Sequence, residues 1–532
     1  MTRTRLAALT LAALIAGPLA AQPRPEAPPA PKDKADDRPT GVEESDYAVA
    51  TAVEDAQPKR GSVVIGGRTI GYTVTPGTVT IRNDDGDPIA SMFYVAYVAD
   101  RPKGARPRPV TFTFNGGPGS SSMWLHMGSI GPVQVQTPEP TSTAPAPYRI
   151  APNRFSMLDK TDIVFMDAIG TGLSRPIGKA KLKDFAGVDK DIDAYARGIM
   201  RYLTIANRWD SPKFLFGESY GTLRGAGLVY ALQQRGVQMN GVVLLSSILN
   251  YGVRQPGFDQ IHITYLPSFA ATAWYHNRLP NRPPALEPFL AEVRQWAIGP
   301  YANALAKGDA LPDAERDVIA KQLSAYTGLS PDYLAKVDLR VDLARFRKEL
   351  LRDQRRTVGR LDSRFVGIDV DPAGEDPEYD ATDTALSGPY IGALNTYLFG
   401  TLGYRTKLQY RPNFYAELGG GNWDQGHSGP GGRKMALADT ALDLSAAMRQ
   451  NPYLKVLSLN GYYDMATPFF GAEYDLGHMQ LDKSLRGNVT FRYYESGHMV
   501  YVKPAVMPLF KRDLDTFYDG ATAATPPPAT AE

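Results

Sequence analysis

The pattern of apolar and polar positions changes once along this chain. Between residues 62 and 98, short segments alternate or cluster β-forming residues, and Gly-Gly, Pro-Gly and Asp-Asp-Gly-Asp sequences separate them. This pattern predicts an antiparallel meander. From residue 110 onward, short apolar runs are separated by segments of helical length, which is typical of strands buried on both faces of a largely parallel sheet. The predicted meander strands are 62–65, 69–74, 79–82 and 90–98, and the later runs are 110–114, 162–166, 213–216, 242–245, 454–459 and 489–494.

Helical periodicity replaces the strand pattern from about residue 251 to residue 410. In one stretch Leu343, Phe346 and Leu350 fall at helical spacing with arginines between them. The predicted helices of this region are 287–298, 312–324, 331–335 and 343–353. We therefore predict an α/β protein with a core formed by residues 46–250 and 411–518. Residues 251–410 form a helical cap inserted between the two halves, where it would shape substrate entry and exclude water.

The apolar run 213–216 leads directly into Gly217-Glu218-Ser219-Tyr220-Gly221, and a helix-compatible segment follows. This is the order of strand, sharp turn and helix found in a nucleophile elbow, which exposes its serine on a strained turn. Glycines two positions before and after the serine relieve the crowding of such a turn. A chance G-x-S-x-G sequence is the alternative in a chain with 50 glycines. Other motifs must decide between the two.

A glycine-rich loop, Asn115-Gly116-Gly117-Pro118-Gly119, follows the run 110–114. Such a loop can present one backbone N–H to an oxyanion, and the residue after the nucleophile presents another. We predict Gly117 and Tyr220 as these donors. The alternatives are a plain turn and a phosphate-binding loop. Against the latter, no Gly-Lys-Ser/Thr sequence follows, and Pro118 has no N–H.

Two further motifs follow the last two apolar runs. Asp464 comes after the run 454–459, and His498 lies in a glycine-flanked segment after the run 489–494. In hydrolases with a nucleophile elbow the triad runs in chain order serine, acid, histidine, with acid and base on loops after late strands. Ser219, Asp464 and His498 meet both conditions. A structural histidine is the alternative for His498, but the other histidines of the chain fit the order less well.

Composition narrows the classes of protein that remain. With 532 residues, 43% of them hydrophobic and 21% charged, the chain is typical of a globular protein and is not disordered throughout. A formal net charge of +2 gives no electrostatic reason to expect nucleic acid or an anionic membrane as partner. The absence of cysteine excludes disulfides, a thiolate nucleophile and cysteine-ligated metal.

The N-terminus carries the pattern of a secretory signal peptide. Arg3 and Arg5 precede an apolar run over residues 6–19, and Leu19-Ala20-Ala21 offers small residues for cleavage. A membrane anchor is the alternative, although the run is shorter than the roughly 20 residues that a spanning helix needs. We predict a signal peptide over residues 1–21, a disordered leader over 22–45, a disordered tail over 519–532, and a periplasmic or secreted location.

Five sequence blocks resemble the serine carboxypeptidase family. The resemblance covers residues 110–502 apart from the predicted cap. It implies an α/β-hydrolase fold with N-terminal antiparallel strands and a helical cap, and an exported enzyme that removes single residues from peptide C-termini. By position, Ser219, Asp464 and His498 match the triad, Gly117 and Tyr220 the oxyanion amides, and Asn115 and Glu218 the groups that bind the terminal carboxylate of the substrate. The blocks are NGGPGSSS at Asn115, DAIGTGLS at Asp167, GESYGT at Gly217, GYYD at Gly461 and ESGHMV at Glu495.

The role that the resemblance implies for Glu218 has a physical condition. A carboxylate next to the nucleophile repels a carboxylate substrate unless the two share a proton, so activity should favour acid pH. The alternative is that Glu218 is simply buried and hydrogen-bonded to Asn115. The family also has a second glutamate two residues before a Gly-Pro pair. Here that position is Ser129, before Gly131-Pro132, so the preference for acid pH should be milder.

We therefore predict a serine-type carboxypeptidase that acts on peptides through an acyl-enzyme, without a cofactor or metal. We expect no nucleic-acid partner and no membrane span after signal cleavage, and the oligomeric state is open. An esterase or an acyltransferase with the same triad is the first alternative. A binding protein on a hydrolase scaffold that has lost catalysis is the second, and the presence of all three triad residues argues against it.

Overall fold

The computed structural model describes residues 49–102, 104–414 and 423–523 of the chain. The predicted signal peptide and leader therefore lie outside the described residues, as do residues 524–532 of the predicted tail. Residues 519–523 of that tail are helical instead, because the last helix continues to Ala523 and buries Tyr518 and Ala521. In these three ranges no helix is both long and apolar enough to cross a membrane.

Sixteen strands are described, and ten of them form one mixed sheet. They are β1 (Lys59–Ile65), β2 (Arg68–Arg82), β3 (Pro88–Ala99), β4 (Val110–Phe114), β5 (Val133–Gln136), β6 (Arg149–Pro152), β7 (Asp162–Met166), β8 (Arg175–Pro176), β9 (Lys213–Glu218), β10 (Gly241–Leu245), β11 (Arg356–Val358), β12 (Val366–Ile368), β13 (His427–Gly429), β14 (Arg433–Met435), β15 (Lys455–Gly461) and β16 (Val489–Tyr494).

The main sheet has the order β1-β2-β3-β7-β4-β9-β10-β15-β16, with β8 beside β3. The first three strands pair antiparallel, and β3 also pairs antiparallel with β7. From β7 to β16 all neighbours pair parallel. The predicted meander and the predicted parallel sheet are thus two parts of one sheet, and this mixed α/β-hydrolase architecture confirms the fold expected from the sequence.

Thirteen α-helices accompany these strands in the described ranges. They are α1 (Met123–Gly128), α2 (Val188–Ile205), α3 (Tyr220–Gln233), α4 (Gln260–Tyr275), α5 (Leu286–Trp296), α6 (Ala302–Ala306), α7 (Asp313–Thr327), α8 (Pro331–Lys336), α9 (Leu343–Glu349), α10 (Ala381–Asn395), α11 (Ala441–Gln450), α12 (Phe469–Gly477) and α13 (Met507–Ala523).

Alternate residues of the central strands supply two different hydrophobic clusters. Phe214 and Phe216 of β9 belong to one cluster, together with residues of α1, α10 and α13. Leu215 between them belongs to a second cluster with residues of α2, α3 and α11. Because successive strand side chains point to opposite faces, helices cover both faces of the sheet. This explains why strands β4, β7 and β10 are buried at every position.

The predicted turn at Pro76-Gly77 is wrong, because both residues lie inside the continuous strand β2. Pairing with β3 continues through these positions, with Pro76 opposite Val95. Pairing with β1 on the other side ends at Val74. There Gln57 donates its backbone N–H to the Pro76 carbonyl over 3.0 Å. Pro76 cannot donate a backbone hydrogen bond, but it lies where β1 no longer pairs with β2.

The segment predicted as a cap contains two kinds of packing. Helices α4 to α9 contribute to a third hydrophobic cluster, which also includes Tyr462 and Tyr463 from the core. Helix α10 instead buries residues such as Leu386 and Tyr390 in the first core cluster. Neither α4 nor α10 was predicted, since each buries residues around much of its circumference and has no single apolar stripe.

Candidate active site

Ser219 lies on the turn between β9 and α3 with backbone angles of φ 62° and ψ −133°. This region is unfavourable for a residue with a side chain, as expected for a serine on a nucleophile elbow. A Cβ atom on Gly217 would collide with the Gly221 carbonyl, and one on Gly221 would lie 2.8 Å from the Phe114 carbonyl oxygen. The backbone N–H of Ser219 donates to the Leu245 carbonyl over 3.0 Å. The two glycines thus allow the turn to pack tightly.

His498 and Asp464 are in direct contact. Nδ1 of His498 lies 2.8 Å from Oδ2 of Asp464, and both side chains are buried. Asp464 also accepts hydrogen bonds from the backbone N–H groups of Ala466 and Thr467 at 2.8 and 3.0 Å. A carboxylate can only accept, so Nδ1 carries the proton in this contact and Nε2 is left as the basic nitrogen. This is the tautomer that a general base needs.

The electrostatics of His498 follow from the same contact. Burial opposes the charged imidazolium, but the charge and hydrogen bond of Asp464 outweigh it, and the pKa of His498 is raised above its ordinary value. Glu218 adds to the rise, and Arg360 works against it. His498 is therefore surrounded by carboxylates that stabilise its protonated form.

Two segments from other parts of the chain hold the histidine loop. The backbone N–H of His498 donates to the Leu361 carbonyl over 2.6 Å, and Ser246 Oγ donates to the His498 carbonyl, also over 2.6 Å. Asp362 accepts the N–H of Gly497 over 3.1 Å. Residues 361–362 lie in the segment predicted as the cap. This segment therefore supports the histidine directly as well as bordering the site.

The glycine loop approaches the start of α3. A Cβ on Gly116 would collide with the backbone nitrogen of Tyr220, so only glycine permits this contact. Gly117 has φ 110°, which also favours glycine. Tyr220 is the first residue of α3, and its N–H has no acceptor within the helix. The two predicted oxyanion donors thus belong to backbone segments that touch, beside Ser219.

Glu218 is buried directly before the nucleophile. Burial raises the pKa of Glu218 to about 7, Asp464 raises it further, and the charge of His498 and the nearby polar side chains of Tyr501 and Asn115 lower it. Asn115 accepts the N–H of Leu125 with Oδ1 over 3.0 Å, which leaves its amide N–H groups free to donate. The pair thus offers a donor amide and a carboxyl group that is protonated on the acid side of neutrality.

Ser129, which replaces the second glutamate of the resembling family, does not take part. Its side chain is buried and donates to the Leu125 carbonyl over 2.6 Å at the end of α1.

One cavity of about 420 Å³ connects these groups. A larger groove of about 880 Å³ between β2 and α2 contains no serine, and three of its four arginines are paired with acidic side chains. The smaller cavity is therefore the candidate site. Its lining includes Asn115, Gly116, Gly117, Trp124, Glu218, Ser219, Arg360, Asp380, Asp383, Ile391, His498 and Met499.

Sequence reasoning missed four residues at or next to this site. Thr467 donates to Asp464 Oδ2 over 2.8 Å, and its position three residues after the acid is the only sequence signal. Arg360 and Trp124 line the cavity. Tyr501, three residues after His498, contacts the surroundings of Glu218. These side chains come together only in the folded chain, so the spacing of residues in the sequence did not predict their place at the site.

Comparison with known proteins gives one family match, and it covers part of the chain. Residues 73–250 match the family model described as serine carboxypeptidase. This range includes Asn115, Gly117, Glu218, Ser219 and Tyr220 and ends before Asp464 and His498. The resemblance read from the sequence is thus confirmed for this range. A search of curated proteins found no match to the chain.

Several solved structures are similar to this chain at low sequence identity. The prohormone-processing carboxypeptidase Kex1 of Saccharomyces cerevisiae is 13% identical, with 84% of this chain and 91% of that chain covered and a TM-score of 0.48. A proline iminopeptidase of Mycobacterium smegmatis is 14% identical, with coverage of 84% and 99% and a TM-score of 0.37. A carboxyl esterase of Bacillus coagulans is 11% identical, with coverage of 84% and 98% and a TM-score of 0.32.

Proposed function

We propose that the chain is an exported serine-type carboxypeptidase that releases single residues from peptide C-termini, and the match of residues 73–250 to the serine carboxypeptidase family model supports this proposal. The observation that carries the proposal is one cavity that contains both Ser219 with His498 and the buried pair Asn115 and Glu218. A nucleophile beside a carboxylate-binding pair fits a peptide whose last bond is cleaved. Export rests on the N-terminal sequence pattern alone.

In the proposed reaction, Ser219 Oγ attacks the carbonyl carbon of the last peptide bond while His498 Nε2 takes its proton. Asp464 holds the imidazole in the required tautomer and stabilises its positive charge. The N–H groups of Gly117 and Tyr220 stabilise the oxyanion. His498 then gives the proton to the leaving amine, and an acyl-enzyme forms on Ser219. Water, activated by the same histidine, releases the shortened peptide.

Recognition of the C-terminus follows from the pair of buried groups. Asn115 donates an amide N–H to the terminal carboxylate, and Glu218 in its protonated form donates a second hydrogen bond. Both donors lie on the strand ends that carry the glycine loop and the nucleophile. The peptide is then held by its terminus at a fixed distance from Ser219. This would limit cleavage to the last bond.

The proposal is tested first by covalent labelling and product analysis. A fluorophosphonate should attach to Ser219 in the wild-type protein and not to the Ser219→Ala variant. Mass spectrometry of an N-blocked tripeptide acid should then show loss of one C-terminal residue, followed by the next. Release of internal fragments, or labelling without any peptide cleavage, would contradict a carboxypeptidase and favour an esterase or acyltransferase with the same triad.

A further inference from the structure

Two buried polar atoms beside the triad have no hydrogen-bond partner among the described residues. They are Glu218 Oε2 and the hydroxyl oxygen of Tyr501. Both side chains are buried, with relative exposures of 3% and 5%. A buried polar atom without a hydrogen-bond partner destabilises the fold. Two such atoms close together are therefore a feature that a function has to explain.

The two side chains that carry these unpartnered atoms interact with each other. Tyr501 and Glu218 are each among the groups that perturb the pKa of the other, and the Asn115 side chain acts on both. A hydrogen bond from the Tyr501 hydroxyl to Glu218 Oε2 would satisfy both atoms at once. A tyrosine hydroxyl has one proton to give, and an ionised carboxylate is the strongest acceptor within its reach.

The position of the Tyr501 ring is fixed from behind. A Cβ atom on Gly128 would collide with this ring and would lie 2.5 Å from the Tyr390 hydroxyl, so the glycine of α1 provides the space for both tyrosines. The same two residues line a second cavity of about 500 Å³, whose lining does not include Ser219. The Tyr501 ring thus packs against α1, and the side chain is close enough to Glu218 to perturb its pKa.

Arg360, Asp380 and Asp383 line the same cavity as Glu218. The titratable groups that interact electrostatically with Glu218, besides Tyr501, come from three elements. His498 and Asp464 lie on the loops after β16 and β15, and Tyr390 lies on α10. Of these, His498 favours the ionised form of Glu218 and Asp464 disfavours it. The Tyr501 hydroxyl is an uncharged donor and adds to the effect of His498. Its contribution can be removed without changing the net charge of the site.

We propose that Tyr501 is a positioning residue that donates its hydroxyl to the ionised form of Glu218, and so determines the pH above which the site stops binding the terminal carboxylate of a peptide. The inference rests on the proposed carboxypeptidase function. It assigns to a tyrosine the control of the group that binds the C-terminus, a task to which Ser129 does not contribute because its hydroxyl is bonded to the Leu125 carbonyl.

The test compares the Tyr501→Phe variant with the wild-type protein. The readout is kcat/KM for an N-blocked dipeptide with a free C-terminal carboxylate, divided by kcat/KM for its C-terminal amide, from pH 5 to 9. This ratio cancels the ionisation of His498, which affects both substrates alike. In the wild-type protein the ratio should fall with a midpoint near the pKa of Glu218, which is about 7.

Removal of the hydroxyl takes away a donor that stabilises the ionised form of Glu218. The midpoint for Tyr501→Phe should therefore move to higher pH by about one unit, the size expected from one hydrogen bond. At pH 8 the variant should be several-fold better than the wild-type protein on the free acid. Damage to the structure alone would lower the rates without moving the midpoint upward.

The matched control is Tyr518→Phe, which also removes one buried hydroxyl. That hydroxyl contacts Thr111 Oγ1 at 2.8 Å, and its ring packs against Phe214 at the opposite end of β9 from Glu218. The midpoint of the acid-to-amide ratio for Tyr518→Phe should equal that of the wild-type protein. A Tyr501→Phe midpoint that stays in place or moves to lower pH overturns the role of Tyr501. Equal rates on acid and amide at every pH in the wild-type protein contradict the proposed function itself.

A second measurement does not depend on the folding of Tyr501→Phe. In the wild-type protein, ionisation of Glu218 should change the near-ultraviolet absorption of a tyrosine with the same midpoint as the ratio. Glu218→Gln should lose this change, and Tyr390→Phe should keep it. A wild-type spectrum that stays constant through that pH range, or a change that disappears with Tyr390, overturns the proposal.

Discussion

Arg224 Nη1 donates to the backbone carbonyl oxygen of Asn115 over 2.6 Å, and thereby joins the helix after the nucleophile to the loop before it. The Arg224 side chain is completely buried, and its Nε pairs with Asp191 Oδ2 at 2.7 Å. Asp191 Oδ2 also accepts a hydrogen bond from the Tyr220 hydroxyl over 3.2 Å. One buried cation therefore binds the backbone of Asn115 and, through Asp191, is linked to the side chain of Tyr220.

Arg224→Met should destabilise the protein strongly, because it leaves the carboxylate of Asp191 buried without its partner. The expected loss in the free energy of unfolding is about 3–5 kcal/mol, measured by urea denaturation. The double variant Arg224→Met with Asp191→Asn should recover part of this loss. A single variant within about 1 kcal/mol of the wild-type protein would show that the ion pair does not hold this region.

Thr467 orients the catalytic acid in the proposed mechanism. Its Oγ1 donates to Asp464 Oδ2 over 2.8 Å and lies 3.1 Å from His498 Nδ1. Thr467→Val should lower kcat by roughly tenfold with little change in KM, since one of several hydrogen bonds to Asp464 is lost. Asp464→Asn should lower kcat by about 10⁴-fold, because the imidazole loses the required tautomer. Equal losses for both variants would mean that Thr467 acts on more than the orientation of the acid.

Glu218→Gln should widen the pH range of activity on free-acid peptides at both ends. Binding of the terminal carboxylate needs protonated Glu218, so kcat/KM falls as the pH rises through the Glu218 pKa of about 7. Glutamine does not ionise, so this alkaline limb of the pH profile should disappear. The negative charge of Glu218 also contributes to the raised pKa of His498. Without that charge the limb at acid pH, where His498 becomes protonated, should move to lower pH. An unchanged alkaline limb would show that another group binds the terminal carboxylate.

His427 makes a separate contribution to stability. Its Nδ1 lies 2.5 Å from Asp189 and its Nε2 lies 2.9 Å from Asp443. Burial opposes the charge, but the two carboxylates raise the pKa of His427 to about 9. A group whose pKa is raised on folding stabilises the fold fully below its unfolded pKa of about 6.5. The stabilisation is then lost as the pH rises through about 9.

The measurement for His427 is the free energy of unfolding at several pH values. The wild-type protein should lose stability between pH 7 and 9.5 more steeply than His427→Asn, which has no proton to lose there. Parallel curves for the two proteins would contradict the ionised contact. In the native fold His427 bridges α2 and α11 and is absent from the lining of the active-site cavity.

The sequence predicted the sheet and the elbow because both obey local rules. The runs 110–114 and 162–166 match strands that are buried at every position, and the run 489–494 matches the partly exposed edge strand β16. The sharp turn at Ser219 could be predicted from Gly217 and Gly221, because a tight turn excludes side chains at these positions. Helix α10 could not be predicted, because it is buried around much of its circumference and shows no polar face.

Long-range contacts explain the rest of what the sequence did not show. Leu361 supports His498 across more than a hundred positions of chain, and Tyr501 reaches Glu218 from the other end of the core. Pro76 was interpreted as a turn residue because the sequence does not show where the neighbouring strand ends. Such relations depend on packing between distant segments, and no spacing in the sequence records them.

The central claim is that the site binds the free C-terminus of a peptide and cleaves the bond before it. The most direct test is the rate on one N-blocked dipeptide, offered as the free acid and as the C-terminal amide, from pH 4 to 8, with Ser219→Ala as control. The account predicts a strong preference for the free acid that fades as Glu218 ionises, and no activity in the control. Equal rates on acid and amide, or activity on esters alone, would contradict it.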